Sequence, residues 1–537
     1  MSHPTPPLGR KLLKKIFETQ GLMELYVNFC DLSMSPPVYD SGWRHLPGWI
    51  KDLSRCSPAA SDLSGQRVLF FSDLPYWVDY SLALAVLILS RGAYVDFAWL
   101  SHPTYANQLP CTIAYPFWER SSKVLAKKTF HPRFRLLDLI QTPMAAVTPI
   151  MLDIANKQAI VDTSYVLLKE CVNINSNPED KEEYEFRLTR NLDAMRRLAT
   201  LCQENKYDRV ILPNGAILEF GAVNNLLVKM GIPISTFETQ NNGTIVVSNK
   251  DNVMGMCMDD LWEKDIPHEL STERAERIER FIKTRQKPIS NHVNTNSLQL
   301  AEVVSADNIR RQLGIIQGKP VVLVCPNCAF DAAYLMEGAR HFSTMTEWLI
   351  KTTEYLIKRN DCQVIIRSHP AEAYYKTADT TEKIISESFP KLPDHIKLIR
   401  PEDIISTYSI MKIVDLGLIY WSTTGMEMAI RGIPVVCGVP TVHYNRKGFT
   451  LDPKSVKEYF EMIDAVIKSP AVSRLTVRQI ELSKCYVDLF FNDWPKPFPW
   501  SLGRQFWKDL KEWPISRMMS PEGEAKFGGT LRALGGL

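Results

Sequence analysis

Short, uninterrupted apolar runs recur along this chain of 537 residues, each followed by a turn and then a helical stretch. The first, "QRVLFFSD" (residues 66–73), leads into a helical pattern from about Asp79, then Gly92, then the run "AYVDFAWL". A second unit of the same form spans residues 207–239, "YDRVILPNGAILEFGAVNNLLVKMGIPISTFET", with an Asn-Gly turn and Gly231 as punctuation. Runs without polar alternation read as strands covered on both faces, and parallel neighbours require a crossover, usually a helix. The pattern therefore predicts an α/β protein built from βαβ units.

The alternation restarts further on. Strand-like runs "KPVVLVCPN", "CQVIIRSHP", "HIKLIRP", "IVDLGLIYW" and "PVVCG" are separated by helical patterns around residues 343–358 and 374–389, the short "EDIISTYSIM", and a stretch from about Thr424. Residues 285–299, "RQKPISNHVNTNSLQ", are polar with little apolar periodicity and read as an inter-domain connection. A chain this long exceeds one core. The expected organisation is two Rossmann-like domains facing across a cleft. The first, 1–290, has a long helical insertion over residues 145–204, broken by "NINSNPED". The second covers 300–493, and an aromatic, basic tail, 494–537, packs across the domains.

Charge and cysteines narrow the function. With 63 basic against 60 acidic residues the net charge is +3, which gives no case for a nucleic-acid partner. The 11 cysteines contain one close pair, Cys325-Pro326-Asn327-Cys328. A zinc ribbon needs a second pair, so buried free thiols in a reducing cytoplasm are expected, with a redox pair as the other reading. The most apolar window, residues 81–100, carries Arg91 and Asp96 and is too broken to span a bilayer. The N-terminus lacks a signal-peptide pattern, and a cytoplasmic protein is expected. Arg10, Lys11, Lys14 and Lys15, interleaved with Leu12, Leu13, Ile16 and Phe17, suit either a basic amphipathic helix on the inner face of the membrane or a solvated helix packing on the domain.

Ligands of open parallel sheets bind at the carboxyl ends of the strands. In the second half those ends carry Asn327 and Asp331, then Arg367, Ser368, His369, Pro370 and Glu372, then Ser422, Thr423, Thr424 and Gly425, then His443, Tyr444, Arg446 and Lys447. Thr424-x-x-Glu427 fits a helix capping box. The same hydroxyls at a helix start fit a diphosphate, with Glu427 one turn in to accept from ribose hydroxyls. Arg367 and His369 suit a phosphate. The chain lacks a GxxxxGK[ST] loop, a GxGxxG fingerprint, a GxSxG elbow and an HExxH motif.

"VIIRSHPAE", "STTGMEMAIRGIPVV" and the loop from His443 to Pro453, "HYNRKGFTLDP", resemble the bacterial capsule-polysaccharide biosynthesis glycosyltransferases, a GT-B-fold family related to capsule Kdo transferases. The resemblance is clearest over residues 319–460. It implies a nucleotide-sugar donor on the second domain. His369 would contact the phosphate with Arg367 nearby, Ser422 to Gly425 would line the phosphate pocket, and Glu427 would hold the ribose. A glycan or glycolipid acceptor would lie on the first domain, and the protein could meet the membrane or a capsule assembly complex peripherally. The implied reaction needs no cofactor beyond the donor as co-substrate, and no metal. Retaining relatives carry a second glutamate eight positions before the ribose glutamate. Here that position is Ile419, which favours inversion with a base from the first domain. Glu219 and Asp73 rank first for that base because both follow strand ends, with Glu238 behind them. A teichoic-acid-type polyol-phosphate transferase and a non-catalytic capsule assembly or export partner are the competing readings.

Overall fold

A computed structural model describes residues 42–55, 60–100, 131–240, 242–286, 302–330, 341–375 and 377–537. The basic segment from Arg10 to Phe17 and the candidate Asp331 lie outside the described residues. The chain divides into two compact units. One gathers Met1–Ala159, Phe186–Met254 and Pro495–Leu537, and the other gathers Ile160–Glu185 and Gly255–Trp494.

The first unit is built on strands β1 (Arg67–Ser72), β2 (Tyr94–Trp99), β3 (Phe134–Asp138), β4 (Arg209–Pro213), β5 (Ile234–Thr239) and β6 (Thr244–Ser248), joined by the late strand β12 (Lys496–Pro497). Their order is β12-β6-β5-β4-β1-β2-β3. The five central and far strands run parallel, whereas β6 and β12 pair antiparallel at one edge. The apolar run Val68 to Phe71 is fully buried. Helix Pro75–Ser90, which holds the first half of the most apolar window of the chain, is buried on nearly every side. It is covered by helix Gly42–Arg55 and by the tail helices Ile515–Met518 and Pro521–Gly535. A helix apolar all round must be enclosed, and here the C-terminal tail helps to enclose it. Tyr80 donates to the Trp500 carbonyl at 3.0 Å and packs against Phe237, Trp500 and Phe506. The tail, expected to lie across the domains, thus completes the first sheet and its cover.

The second unit contains β7 (Val321–Cys325), β8 (Gln363–Arg367), β9 (Ile396–Ile399), β10 (Leu416–Ile419) and β11 (Val435–Cys437), all parallel, in the order β11-β10-β7-β8-β9. Each strand predicted in this half is present. The domain boundary falls earlier than the polar stretch suggested, because Met258, Trp262 and Ile278 bury themselves in the second core. Residues 160–185 join this unit too. Glu170 accepts from the backbone N–H groups of Met345 and Thr346, at 2.5 and 2.9 Å, and so caps helix Met345–Ile357.

An ionic clasp sets the register of the first sheet. Asp96 on β2 accepts from Arg135 of β3 at 2.6 and 2.5 Å, from Arg67 of β1 at 3.1 Å and from Tyr207 at 2.7 Å. Burial disfavours its charge, but the bonds from Arg135 and Tyr207 outweigh burial and hold the carboxyl below its usual value. Asp96 is buried, but Arg67 and Arg135 are 33% and 49% exposed, so water would compensate them in part. Asp96→Ala should lower the unfolding free energy of the first unit by about 1–3 kcal/mol, read as a drop in the urea midpoint of that unit's transition.

Candidate functional site

Each sheet reverses its direction of winding once. In the second unit the reversal lies between β7 and β10, and in the first between β1 and β4. Crevices at such switch points are where open α/β sheets take ligands.

In the second unit the switch point is closed by a side chain. Asn327 donates to the Trp421 carbonyl at 3.0 Å and accepts from the Trp421 N–H at 2.9 Å, tying the loop after β7 to the loop after β10. Its amide, expected to meet a ligand, is used to hold the two loops together. Beyond it lies the Ser-Thr-Thr-Gly turn. Ser422 Oγ donates to Thr424 Oγ1 at 2.9 Å and accepts from the Thr424 N–H at 3.2 Å. The hydroxyl of Thr423 has no hydrogen-bond partner among the described residues. The expected capping box is not formed: the N-cap is Thr423, its side chain caps nothing, and helix Thr424–Ala429 is only six residues long. Gly425 is required by packing, since a Cβ there would come within 2.2 Å of Tyr444 Oη, which donates to the Ser422 carbonyl at 2.5 Å.

Glu427 is buried beneath this turn. The Tyr408 phenol is hydrogen-bonded to it, and Arg285 Nη2 lies 4.0 Å from its carboxylate. Arg431 binds its backbone carbonyl. A carboxylate offers about four lone-pair sites, so Glu427 retains capacity to accept from a ligand.

Arg367, the last residue of β8, is 5% exposed, and among the described residues no carboxylate lies within ion-pairing distance. One Nη group reaches the Arg400 carbonyl, and Nε is buried with no hydrogen-bond partner. Burial pulls this guanidinium below its usual pKa. Next to it, Ser368 Oγ is likewise buried and unpartnered. A buried, unpaired cation costs several kcal/mol, and an anionic ligand would offset that cost.

His369 is held in one tautomer. Its Nδ1 accepts from the Ala371 N–H at 3.2 Å, and Cys328 Sγ lies 3.2 Å from the same nitrogen. A backbone N–H can only donate, so Nδ1 carries the lone pair, the thiol is the second donor, and the ring proton sits on Nε2. Burial, then the Arg367 charge, lowers its pKa to about 4. His369 is therefore a neutral hydrogen-bond donor. Cys325 and Cys328 are both buried as thiols and are not joined in a disulfide.

Two further candidates are engaged elsewhere. His443 Nδ1 pairs with Tyr486 Oη at 3.1 Å, and its ring stacks on Phe490 at 4.7 Å. Lys447 is ion-paired with Asp259 at 2.5 Å. His443 thus belongs to an aromatic cluster and Lys447 to a loop anchor, because the chain after β11 folds back onto segments that are distant in sequence.

The switch point of the first unit brings Asp73 and Glu219 together. Glu219, on helix Leu218–Lys229, is fully buried and pairs with Arg190 Nε at 2.5 Å, while Asp73 Oδ2 lies 3.8 Å from Arg190 Nη2. Burial opposes ionisation of Glu219, but Arg190 and, less strongly, Arg187 overcome it and keep its carboxyl low. Asp73, buried and facing that charge, is pushed well above the carboxylate range. Two carboxyls around one arginine share a proton, and here Asp73 keeps it. The third carboxyl of this edge, Glu238 at the end of β5, is half-buried and accepts from Asn214 Nδ2 at 2.9 Å.

No protein-family model and no curated protein matches the chain. Among solved structures it is similar to a Thermosulfurimonas dismutans KpsC β-Kdo 2,7 transferase, at 14% identity and a TM-score of 0.30, over 54% of this chain and 79% of that one. It is also similar to a UDP-GlcNAc 2-epimerase from Neisseria meningitidis bound to UDP-GlcNAc (11% identity, TM-score 0.25, 80% and 100% of the two chains). A third is a sucrose-phosphate synthase from Thermosynechococcus elongatus (12%, TM-score 0.27, 88% and 99%). Likeness at this level assigns no activity, and the functional reading rests on the chemistry of the site.

Three residues were hidden from sequence reasoning. Cys328 acts through His369, Arg190 acts on a carboxyl 29 positions away, and Tyr408 meets Glu427 across the fold. Only Cys328 left a local signal, in the spacing of its pair.

Two outcomes are expected. Glu219→Gln strands the buried Arg190 and should lower the stability of the first unit by about 3–5 kcal/mol in urea unfolding. His369, with a folded pKa near 4 against an ordinary value of 6.5, binds fewer protons folded than unfolded across that interval. Its contribution to stability is full above about 6.5 and is lost as pH falls toward 4, so His369→Gln should flatten that limb of a melting-temperature profile.

Proposed function

We propose that this chain is a glycosyltransferase that moves a sugar from a nucleotide-sugar donor to a growing surface polysaccharide of capsule or lipopolysaccharide type. The observation that supports this most is Arg367, a buried guanidinium without an ion pair among the described residues, at the carboxyl edge of a parallel sheet. The neutral Nε2–H donor of His369 lies two residues away.

The donor diphosphate would neutralise Arg367 and accept from His369 and from the unpartnered hydroxyl of Thr423. Glu427 would accept from the ribose. In this reading His369 lends hydrogen bonding and Arg367 lends charge to the departing nucleotide, so both act where negative charge develops. Protein cations take the place that a divalent metal fills elsewhere, and we propose that none is needed. Inversion is the proposed stereochemistry, since Ile419, where retaining relatives carry a glutamate, is a buried core residue of β10. The acceptor is a glycan or glycolipid. Among the described residues no helix is long and apolar enough to cross a membrane, so contact with a lipid-linked acceptor would be peripheral.

Calorimetric titration with UDP, CMP and CDP tests the reading. One of them should bind in the presence of EDTA, and at a hundred times its dissociation constant it should stabilise the fold by about 2.7 kcal/mol. Arg367→Met should abolish that binding while leaving the free protein as stable as wild type or more so, since the unpaired charge is gone. Absence of binding by all three nucleotides, or undiminished binding by Arg367→Met, would overturn the proposal.

A further inference from the structure

The edge of the first sheet carries three carboxyl groups, and their surroundings differ. Asp73 and Glu219 are enclosed around Arg190 with side chains 1% exposed, away from any acceptor hydroxyl that approaches from solvent. A carboxylate so stabilised is a weak base, and a protonated carboxyl is none.

Glu238 is placed otherwise. It ends β5, one strand further from the switch point, with a partly exposed side chain. It forms no ion pair among the described residues. Its Oε2 accepts from Asn214 Nδ2 at 2.9 Å, and the carboxylate also accepts from the backbone N–H of Thr239. Asn214 is itself fixed. It lies just past β4 with φ of 56°, a left-handed conformation that asparagine tolerates better than most residues, and its Oδ1 accepts from the Ala216 N–H at 2.9 Å. Its own N–H continues the ladder to the Phe237 carbonyl at 2.8 Å. The Asn-Gly turn therefore aims an amide at Glu238, and with two donors on a carboxylate of about four lone-pair sites the group keeps capacity for a ligand.

We infer that Glu238 is the general base of the transfer and Asn214 its positioning residue. This rests on the glycosyltransferase reading. In the step, the Glu238 carboxylate takes the proton of the acceptor hydroxyl as the hydroxyl oxygen bonds to the anomeric carbon. The bond from that carbon to the phosphate oxygen breaks, and its electron pair leaves with the nucleotide. Glu238 ends protonated and returns its proton to solvent.

The environment suits a base that works near neutrality. Burial raises the Glu238 carboxyl to about 7, with the bonds from Asn214 and from the Thr239 backbone acting against that rise. Across from it the Tyr80 phenol feels the Glu238 charge and stays protonated, and its own hydroxyl is used on the Trp500 carbonyl. The register partner on β6 is the apolar Val246.

The test measures nucleotide release to water from UDP-N-acetylglucosamine, CMP-N-acetylneuraminate and CDP-glycerol, with donor binding followed separately by calorimetry. With the donor that binds, wild-type release should rise with pH and level off above about 7. Glu238→Gln, which keeps the shape and the bond from Asn214, should bind the donor normally and lose release by about 10²-fold or more, together with the pH step. Asn214→Gly tolerates the left-handed backbone and should move the step to higher pH, because the bond that favours the carboxylate is gone. Release within two-fold of wild type in Glu238→Gln, an unmoved step in Asn214→Gly, or no wild-type release while the donor is bound would each overturn the assignment and leave the donor site standing. Failure of every donor to bind would instead remove the transferase reading and this inference with it.

Discussion

Parallel strands buried on both faces impose the organisation of this molecule. Such a strand satisfies its backbone only with neighbours in the sheet, and its side chains only with helices above and below. Helices then occupy both faces, and the polar residues of the connections are confined to the strand ends. Helix Pro75–Ser90 shows how strict this is. Its apolar sequence needs cover from helix Gly42–Arg55 and from the tail, so a segment more than 400 residues later in the chain completes the first unit. With faces closed, the carboxyl edges are what remains for chemistry.

At those edges the two units handle charge differently. In the first, Arg190 meets Glu219 in a buried ion pair, with Asp73 at 3.8 Å from the same guanidinium. In the second, Arg367 is buried with no ion pair among the described residues. Its nearest ionisable neighbours include Cys325, a thiol that burial keeps protonated. The neighbouring His369 is kept from becoming a second cation by its burial and by the Arg367 charge. The result is a site that offers one fixed charge and one neutral donor, which suits an anion better than two adjacent cations would, since these would repel each other when empty.

Much of the fold was legible in the sequence, and the reason is periodicity. The runs at β1, β2, β4 and β5, and all five strands of the second sheet, are continuous apolar stretches bounded by turns. Strands β3, β6 and β12 were not legible because they are short and only partly buried, so their composition carries little signal. The candidate site was legible as a set of strand ends but not as a set of contacts. Asn327, His443 and Lys447 looked equivalent to Arg367 and His369 in sequence. Their partners, Trp421, Tyr486 and Asp259, lie between 43 and 188 positions away. Thr424-x-x-Glu427 matched a capping pattern, yet packing of Tyr444 on Gly425 set the turn one residue differently.

By itself the sequence determined that strands and helices alternate, that two sheets form, and that the hydroxyl, arginine and histidine residues fall at strand ends, because these follow from local periodicity and turn chemistry. Tertiary structure alone decided which of those residues are satisfied by the protein and which are not. Long-range contacts made Glu219 a buried ion-pair member, set Asn214 against Glu238, fixed the proton of His369 on Nε2, and buried Arg367 with no ion pair among the described residues. Satisfaction of a polar group depends on what the fold brings within about 3 Å of it, and at these positions the deciding neighbours come from other strands and helices.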